Sequence, residues 1–146
     1  MKKNGLLNAE LMGELTRLRH QDKLVICDIG FPIPKGSNVV DVSLVEGLPT
    51  FLQVLKAVLN EIIVEDYVVF DFMKDYNQEY YSFLKEHLVN QASSEVSMDA
   101  FVKASAEAKL FIRTGEPRPA SNILLTSATG VRSMNEKLDV HFDSVI

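Results

Sequence analysis

Four short runs rich in β-branched, aliphatic or aromatic residues punctuate this chain: Leu24–Cys27, Ile62–Phe72, Lys109–Arg113 and Asn122–Thr126. Between them lie stretches whose apolar residues recur at helical spacing. This alternation is the strongest constraint on the fold. A run that is apolar throughout has two faces to bury, and the helices between successive strands are what can cover them. The pattern predicts an α/β protein, a layered sheet with helices on both faces.

The helices announce themselves by caps and stripes. Asn8 can accept from a first-turn N–H. Leu7 and Met12 are spaced for a hydrophobic staple across that cap. Leu11, Leu15 and Leu18 then share one face, so a first helix runs to about Arg19 and His20 stands at or just past its end. Val39–Val42 is a short strand or an extended segment. Gly47 and Pro49 signal a second helix, with the proline tolerated in its first turn. Phe51, Val54, Leu55 and Val58 make its stripe, widened by Leu52 and Leu59, which calls for burial on more than one side. Ile62–Phe72 reads as a central strand. Asn77–Val89 reads as a helix burying Tyr80, Phe83, Leu84 and Leu88. Val96 is at best in a short strand, and Ser97 can cap a helix carrying Phe101 and Val102. Thr114–Pro119 is a loop by composition. The polar tail from Arg132 to Ile146, after Gly130, is set apart as a C-terminal extension of a single domain over residues 1–131.

Composition narrows the function classes. A length of 146 residues suits one domain with one core. A formal charge of -5 with no basic block argues against nucleic acid or an anionic membrane as partner. Cys27 has no second cysteine to pair with and lies in an apolar run, as expected of a small buried side chain in a reducing compartment. No apolar run reaches the ~18 residues of a membrane span, and the first residues lack a signal-peptide core. A cytoplasmic protein is expected.

The chemistry-bearing stretch is His20–Pro34. A histidine precedes the first buried strand, Asp28 stands at its end, and Gly30, Pro32 and Pro34 enforce an irregular loop after it. A strand-end carboxylate followed by such a loop is a common site-building device in α/β proteins. His20 can give and take a proton near neutrality. It can equally just stabilise the carbonyl end of a helix. Asp28 can orient an imidazole or bind hydroxyls, or simply make a turn. Arg113 and Glu116 either form an exposed pair bracketing a turn or present donors to a polar ligand. Asn122 is a turn residue or an amide that grips a hydroxyl. His87 reads as an exposed helix-end residue, and His141 carries no assigned role. The three histidines are far apart in sequence, and no phosphate-binding glycine loop or Cys/His metal pattern is present, so a zinc site is not expected.

Taken together, Leu7-Asn8, His20, Asp28-x-Gly30, Pro32-Ile33-Pro34, Asp41, Gly47-x-Pro49, Ile112-Arg113-x-Gly115-Glu116 and Asn122-Ile123 resemble the D-ribose pyranase and L-fucose mutarotase family, over most of residues 1–131. The Pro-Ile-Pro loop favours the ribose branch. The resemblance implies small cytoplasmic α/β proteins that form ring-like homo-oligomers, often decamers, and need no metal or cofactor. They interconvert ring forms of a monosaccharide. It also implies that His20 is the proton donor, that Asp28 binds substrate, and that Ser121 and Asn122 belong to a substrate-binding tripeptide. Two positions depart from the family pattern: Ala120 stands where tyrosine usually opens that tripeptide, and Met98 stands where a binding histidine is usual. A non-catalytic sugar-binding or regulatory oligomer on the same fold suits those departures. L-fucose mutarotase is the other alternative.

Overall fold

The computed structural model describes residues 1–146. Six strands, β1 (Lys23–Cys27), β2 (Val39–Asp41), β3 (Val64–Phe70), β4 (Ala92–Val96), β5 (Leu110–Arg113) and β6 (Ile123–Ser127), form one sheet in the order β2-β5-β1-β6-β3-β4. Five strands run parallel. Only β6 is reversed, antiparallel to both β1 and β3. Leu24, Val25, Ile26 and Cys27 are all fully buried. Successive strand residues point to opposite faces, so both faces of β1 are covered, as the alternating pattern predicts. Ile62–Phe72 supplies β3, which lies one strand in from an edge; β1 and β6 hold the centre.

The helices are α1 (Ala9–Arg17), α2 (Phe51–Leu59), α3 (Met73–Tyr76), α4 (Gln78–His87), α5 (Met98–Ser105) and α6 (Arg132–Asn135). Asn8 caps α1 by accepting from Leu11 N, and Ser97 caps α5 by accepting from Ala100 N. The staple is different from expectation. Leu7 is largely exposed, and its neighbour Leu6 is the residue packed against the core. The start of α2 also differs. Pro49 lies ahead of the helix, and Thr50 with Gln53 forms a reciprocal capping box that satisfies the backbone N–H groups of both residues. β4 is a polar edge strand, Ala-Ser-Ser-Glu-Val, exposed except at Val96. Polar and charged residues of this kind keep an open sheet edge from recruiting other chains.

The tail is docked. Asn60 Nδ2 donates to Phe142 O at 2.9 Å while Phe142 N donates to Asn60 Oδ1 at 2.8 Å. The Phe142 ring stacks on Phe83, with centroids 5.6 Å apart, and lies 5.4 Å from His87. His87 is therefore half-buried, in a stack with Phe83 at 4.2 Å, and not the exposed helix-end residue its position suggests. Asn90 and Gln91 hold the carbonyls of Lys137 and Leu138 at 2.8 Å each.

Candidate functional site

All the parallel strands point their C-terminal ends at one rim of the sheet, and the reversed β6 begins there. This brings Asp28, which follows β1, against Asn122, which precedes β6. Asn122 Nδ2 donates to Asp28 Oδ2 at 2.8 Å, and Asp28 N donates to Asn122 Oδ1 at 3.0 Å. Gly30 N donates to Asp28 Oδ1 at 3.0 Å, so the loop after β1 closes on the carboxylate. Burial pushes the Asp28 carboxyl above its usual range, and the Asn122 and Gly30 donors offset only part of that. The pair keeps binding capacity: one N–H of Asn122 and further lone pairs of Asp28 are uncommitted.

These two residues line a cleft of about 340 Å³. Its other walls come from Phe31 and Pro32, from Phe70 at the end of β3, from Met98 in the first turn of α5, and from Pro117, Pro119 and Ala120. The cleft has one polar edge and otherwise largely apolar walls. Ala120 adopts a left-handed φ of 61° and is buried. For a residue with a Cβ this conformation is uncommon and costs energy, and it marks the segment as held by its surroundings. Ser121 is not on the cleft wall. It is fully buried, and its hydroxyl accepts from Asn77 Nδ2 at 2.9 Å.

The loop that carries Ala120 is anchored by Glu116, which is 2% exposed. Glu116 Oε2 accepts from Tyr80 OH at 2.5 Å and from Phe51 N, at the start of α2, at 3.2 Å. Its Oε1 accepts from Arg118 N at 3.1 Å. Burial, then the bond to Glu116, drives the Tyr80 hydroxyl well above its usual range, so it stays a donor. Arg113 pairs with Asp41 at 3.6 Å and donates to Ile29 O at 3.0 Å. Arg113 and Glu116 are thus not an exposed pair bracketing a turn. They brace the two loops that form the cleft. Gly115 makes this possible by close approach, since a Cβ there would collide with the Val45 and Leu48 carbonyls.

His20 is not in this cleft. It precedes β1 while Asp28 follows it. A strand of five residues separates its ends by roughly 13 Å at ~3.3 Å per residue, which excludes an Asp28-oriented imidazole within one chain. The His20 ring is half-exposed at the opposite rim, with Nε2 3.1 Å from Glu65 Oε2. The turn behind it is fixed by Asp22, whose Oδ2 accepts from Lys109 Nζ at 2.9 Å and Arg19 N at 2.7 Å; both bonds, that from Lys109 foremost, hold its carboxyl below the usual range. Cys27 is buried beneath Asp28, and burial pushes its thiol up to about 12, so it is not a nucleophile at neutral pH. His141 is exposed, 3.9 Å from Asp143 in the tail.

The model of the RbsD / FucU transport protein family matches residues 1–131. The chain is 42% identical over 127 residues to the D-ribose pyranase of Geobacillus thermodenitrificans, covering 87% of this chain and 96% of that protein. It is 37% identical over 128 residues to the D-ribose pyranase of Kosmotoga olearia, covering 87% and 97%. Among solved structures it is similar to Bacillus subtilis RbsD complexed with D-ribose, with a TM-score of 0.84, 37% identity, and coverage of 88% and 98%. FucU from Bifidobacterium longum shares the fold at a TM-score of 0.66 and 23% identity, covering 84% and 94%.

Proposed function

Since the chain belongs to the RbsD / FucU transport protein family, we propose that it is a monosaccharide ring-form isomerase of the D-ribose pyranase type. It interconverts pyranose and furanose or anomeric forms by acid/base ring opening. The observation that carries this reading is the Asp28–Asn122 pair, braced from below and facing a cleft of monosaccharide size on a fold whose relative is solved with D-ribose.

Asp28 and Asn122 hold sugar hydroxyls, and Ser121 fixes the tripeptide from behind through Asn77. His20 is the proton donor. Its proton passes to the ring oxygen as the bond from the anomeric carbon to that oxygen breaks. The bonding pair stays on the ring oxygen. The pair of the anomeric O–H bond becomes the second bond of the carbonyl, and that proton returns to the imidazole. Rotation about the freed chain and the reverse steps through another hydroxyl give the second ring form. Atoms and charge balance with no co-reactant. A positioned proton-transfer group of this kind contributes ~10²–10⁴-fold.

The two rims of the sheet make a demand on assembly. One copy holds the sugar at one rim and carries its acid at the other, so His20 reaches the sugar of a second copy. The protein therefore works as a homo-oligomer, and its resemblance to the family implies a ring, often a decamer. Ile29, Leu44, Val45, Leu48 and Met98, all exposed apolar residues on or near the cleft loops, are suited to that contact. The tail 132–146 is an extension of the same domain, and the protein is cytoplasmic.

Saturation-transfer NMR on ribose and fucose, with wild type and His20→Ala, tests the activity. Acceleration by wild type that His20→Ala abolishes is the expected result; no acceleration for any common pentose or hexose overturns it. Met98 and Ala120, apolar where they meet the cleft, favour a second reading, a sugar-binding oligomer without catalysis. Calorimetric binding without exchange would establish it.

A further inference from the structure

Three features converge on the ring of His20. The first is Glu65. Its Oε2 lies 3.1 Å from His20 Nε2, and its Oε1 accepts from Gln21 Nε2 at 3.3 Å, so one carboxylate holds two successive side chains. The second is the backbone that carries Glu65. The pairing of β3 with β6 shifts register between Val64 and Asp66, so Glu65 occupies an irregularity in the ladder. Such bulges re-aim a side chain that regular alternation would direct elsewhere. The third is Gln21, which adopts a left-handed φ of 69° right after the histidine, while Gln21 N donates to Ser127 O at 2.9 Å. Left-handed backbone at a residue with a long side chain costs energy and is kept where surrounding contacts impose it.

The nitrogen of an imidazole that carries the proton is set by the bond the other nitrogen makes. A carboxylate only accepts, so the contact to Glu65 requires a hydrogen on Nε2. Resting on the assignment of His20 as the acid/base group, we propose that Glu65 is a positioning residue that fixes the neutral ring in its Nε2–H form, so that Nδ1 is the nitrogen that gives and takes the sugar's proton. His20 then cycles between imidazole and imidazolium at Nδ1, while Nε2–H stays on Glu65 throughout.

Long-range ¹H–¹⁵N correlation of the histidine side chains, with His20 assigned by its absence in His20→Ala, reads the tautomer directly. Wild type should show the Nε2–H form at His20, and Glu65→Gln a mixture of tautomers. In ring-exchange kinetics Glu65→Gln should lose about tenfold or more in kcat with KM within about threefold, as expected when one proton-transfer group is misoriented rather than removed. Glu65→Asp, which keeps the charge one methylene short, should recover part of that loss. A wild-type Nδ1–H tautomer, or a Glu65→Gln kcat within about twofold of wild type, overturns the proposal. The tautomer does not depend on turnover. A wild type that accelerates no exchange therefore defeats the activity reading, and the spectrum alone then decides whether Glu65 sets the ring.

Discussion

Replacing Glu116 by glutamine tests how the cleft is held, because the substitution keeps the shape and changes what the oxygens can do. The native carboxylate accepts three bonds: Tyr80 OH and Phe51 N on Oε2, Arg118 N on Oε1. An amide has one acceptor atom and one donor group. If its oxygen takes the place of Oε2, its NH2 faces the Arg118 N–H; if it takes the place of Oε1, its NH2 faces both Phe51 N–H and Tyr80 OH. At a position 2% exposed, water cannot relieve the conflict. One buried donor left unpaired costs about 1–3 kcal/mol, and the bonds that remain lose their charge assistance, worth about 1–2 kcal/mol more. The sum of about 2–5 kcal/mol lowers Tm by roughly 6–15 °C in a domain of this size. The assay is thermal unfolding by circular dichroism of wild type, Glu116→Gln, Tyr80→Phe and the double variant. Tyr80 and Glu116 share a bond, so the double variant should be less destabilised than the sum of the singles by at least ~0.5 kcal/mol. A Tm change under about 2 °C for Glu116→Gln, or strict additivity, would refute the reasoning. Because Pro117, Pro119 and Ala120 hang from this anchor, ribose affinity measured by calorimetry should fall in the same variant.

Burial raises the folded-state pKa of Asp28, so the folded chain binds that proton more tightly than the unfolded chain. Its contribution to stability is present below the ordinary value of 3.8 and is lost as pH rises through the raised folded value. Denaturant unfolding across that window should therefore show Asp28→Asn gaining on wild type as pH increases, and a pH-independent difference would contradict the burial argument. Met98→His should strengthen ribose binding by about 0.5–1.5 kcal/mol, roughly 2–12-fold in Kd by calorimetry, since it places a donor-acceptor ring on an otherwise apolar wall. Phe142→Ala removes a half-buried ring that stacks on Phe83 and His87. It should cost about 1–2 kcal/mol and lower Tm by roughly 3–8 °C, with ribose affinity unchanged.

What could be read from the chain follows from which forces act locally. The apolar runs of β1, β3, β5 and β6 and the caps Asn8 and Ser97 are legible because burial and capping depend on residues a few positions apart. Of β4 only Val96 is legible, because an edge strand gains its place from ladder bonds to β3, and Ala92–Glu95 carry no apolar signal. The reversal of β6 is invisible, since an apolar run has no direction. That reversal joins Asp28 to Asn122, and strand length then separates Asp28 from His20, so the sequence stretch that contains both residues is not one place in the fold. Glu65, and the bracing role of Glu116, are hidden for the same reason. Their partners lie 45 and 36 residues away, and the chain near each glutamate gives no sign of them.

The slot that β6 fills has a consequence for the order in which the molecule can be built. Before β6 arrives, β2-β5-β1 and β3-β4 are two partial sheets with open edges at β1 and β3, and the strand that joins them is the last of the six in the chain. Pairings of such long sequence separation form slowly and leave strand edges exposed meanwhile. Asn122 immediately precedes that final strand. Closing the sheet and presenting the amide to Asp28 are therefore one event, and any chain that has completed its fold has also completed the polar edge of its cleft.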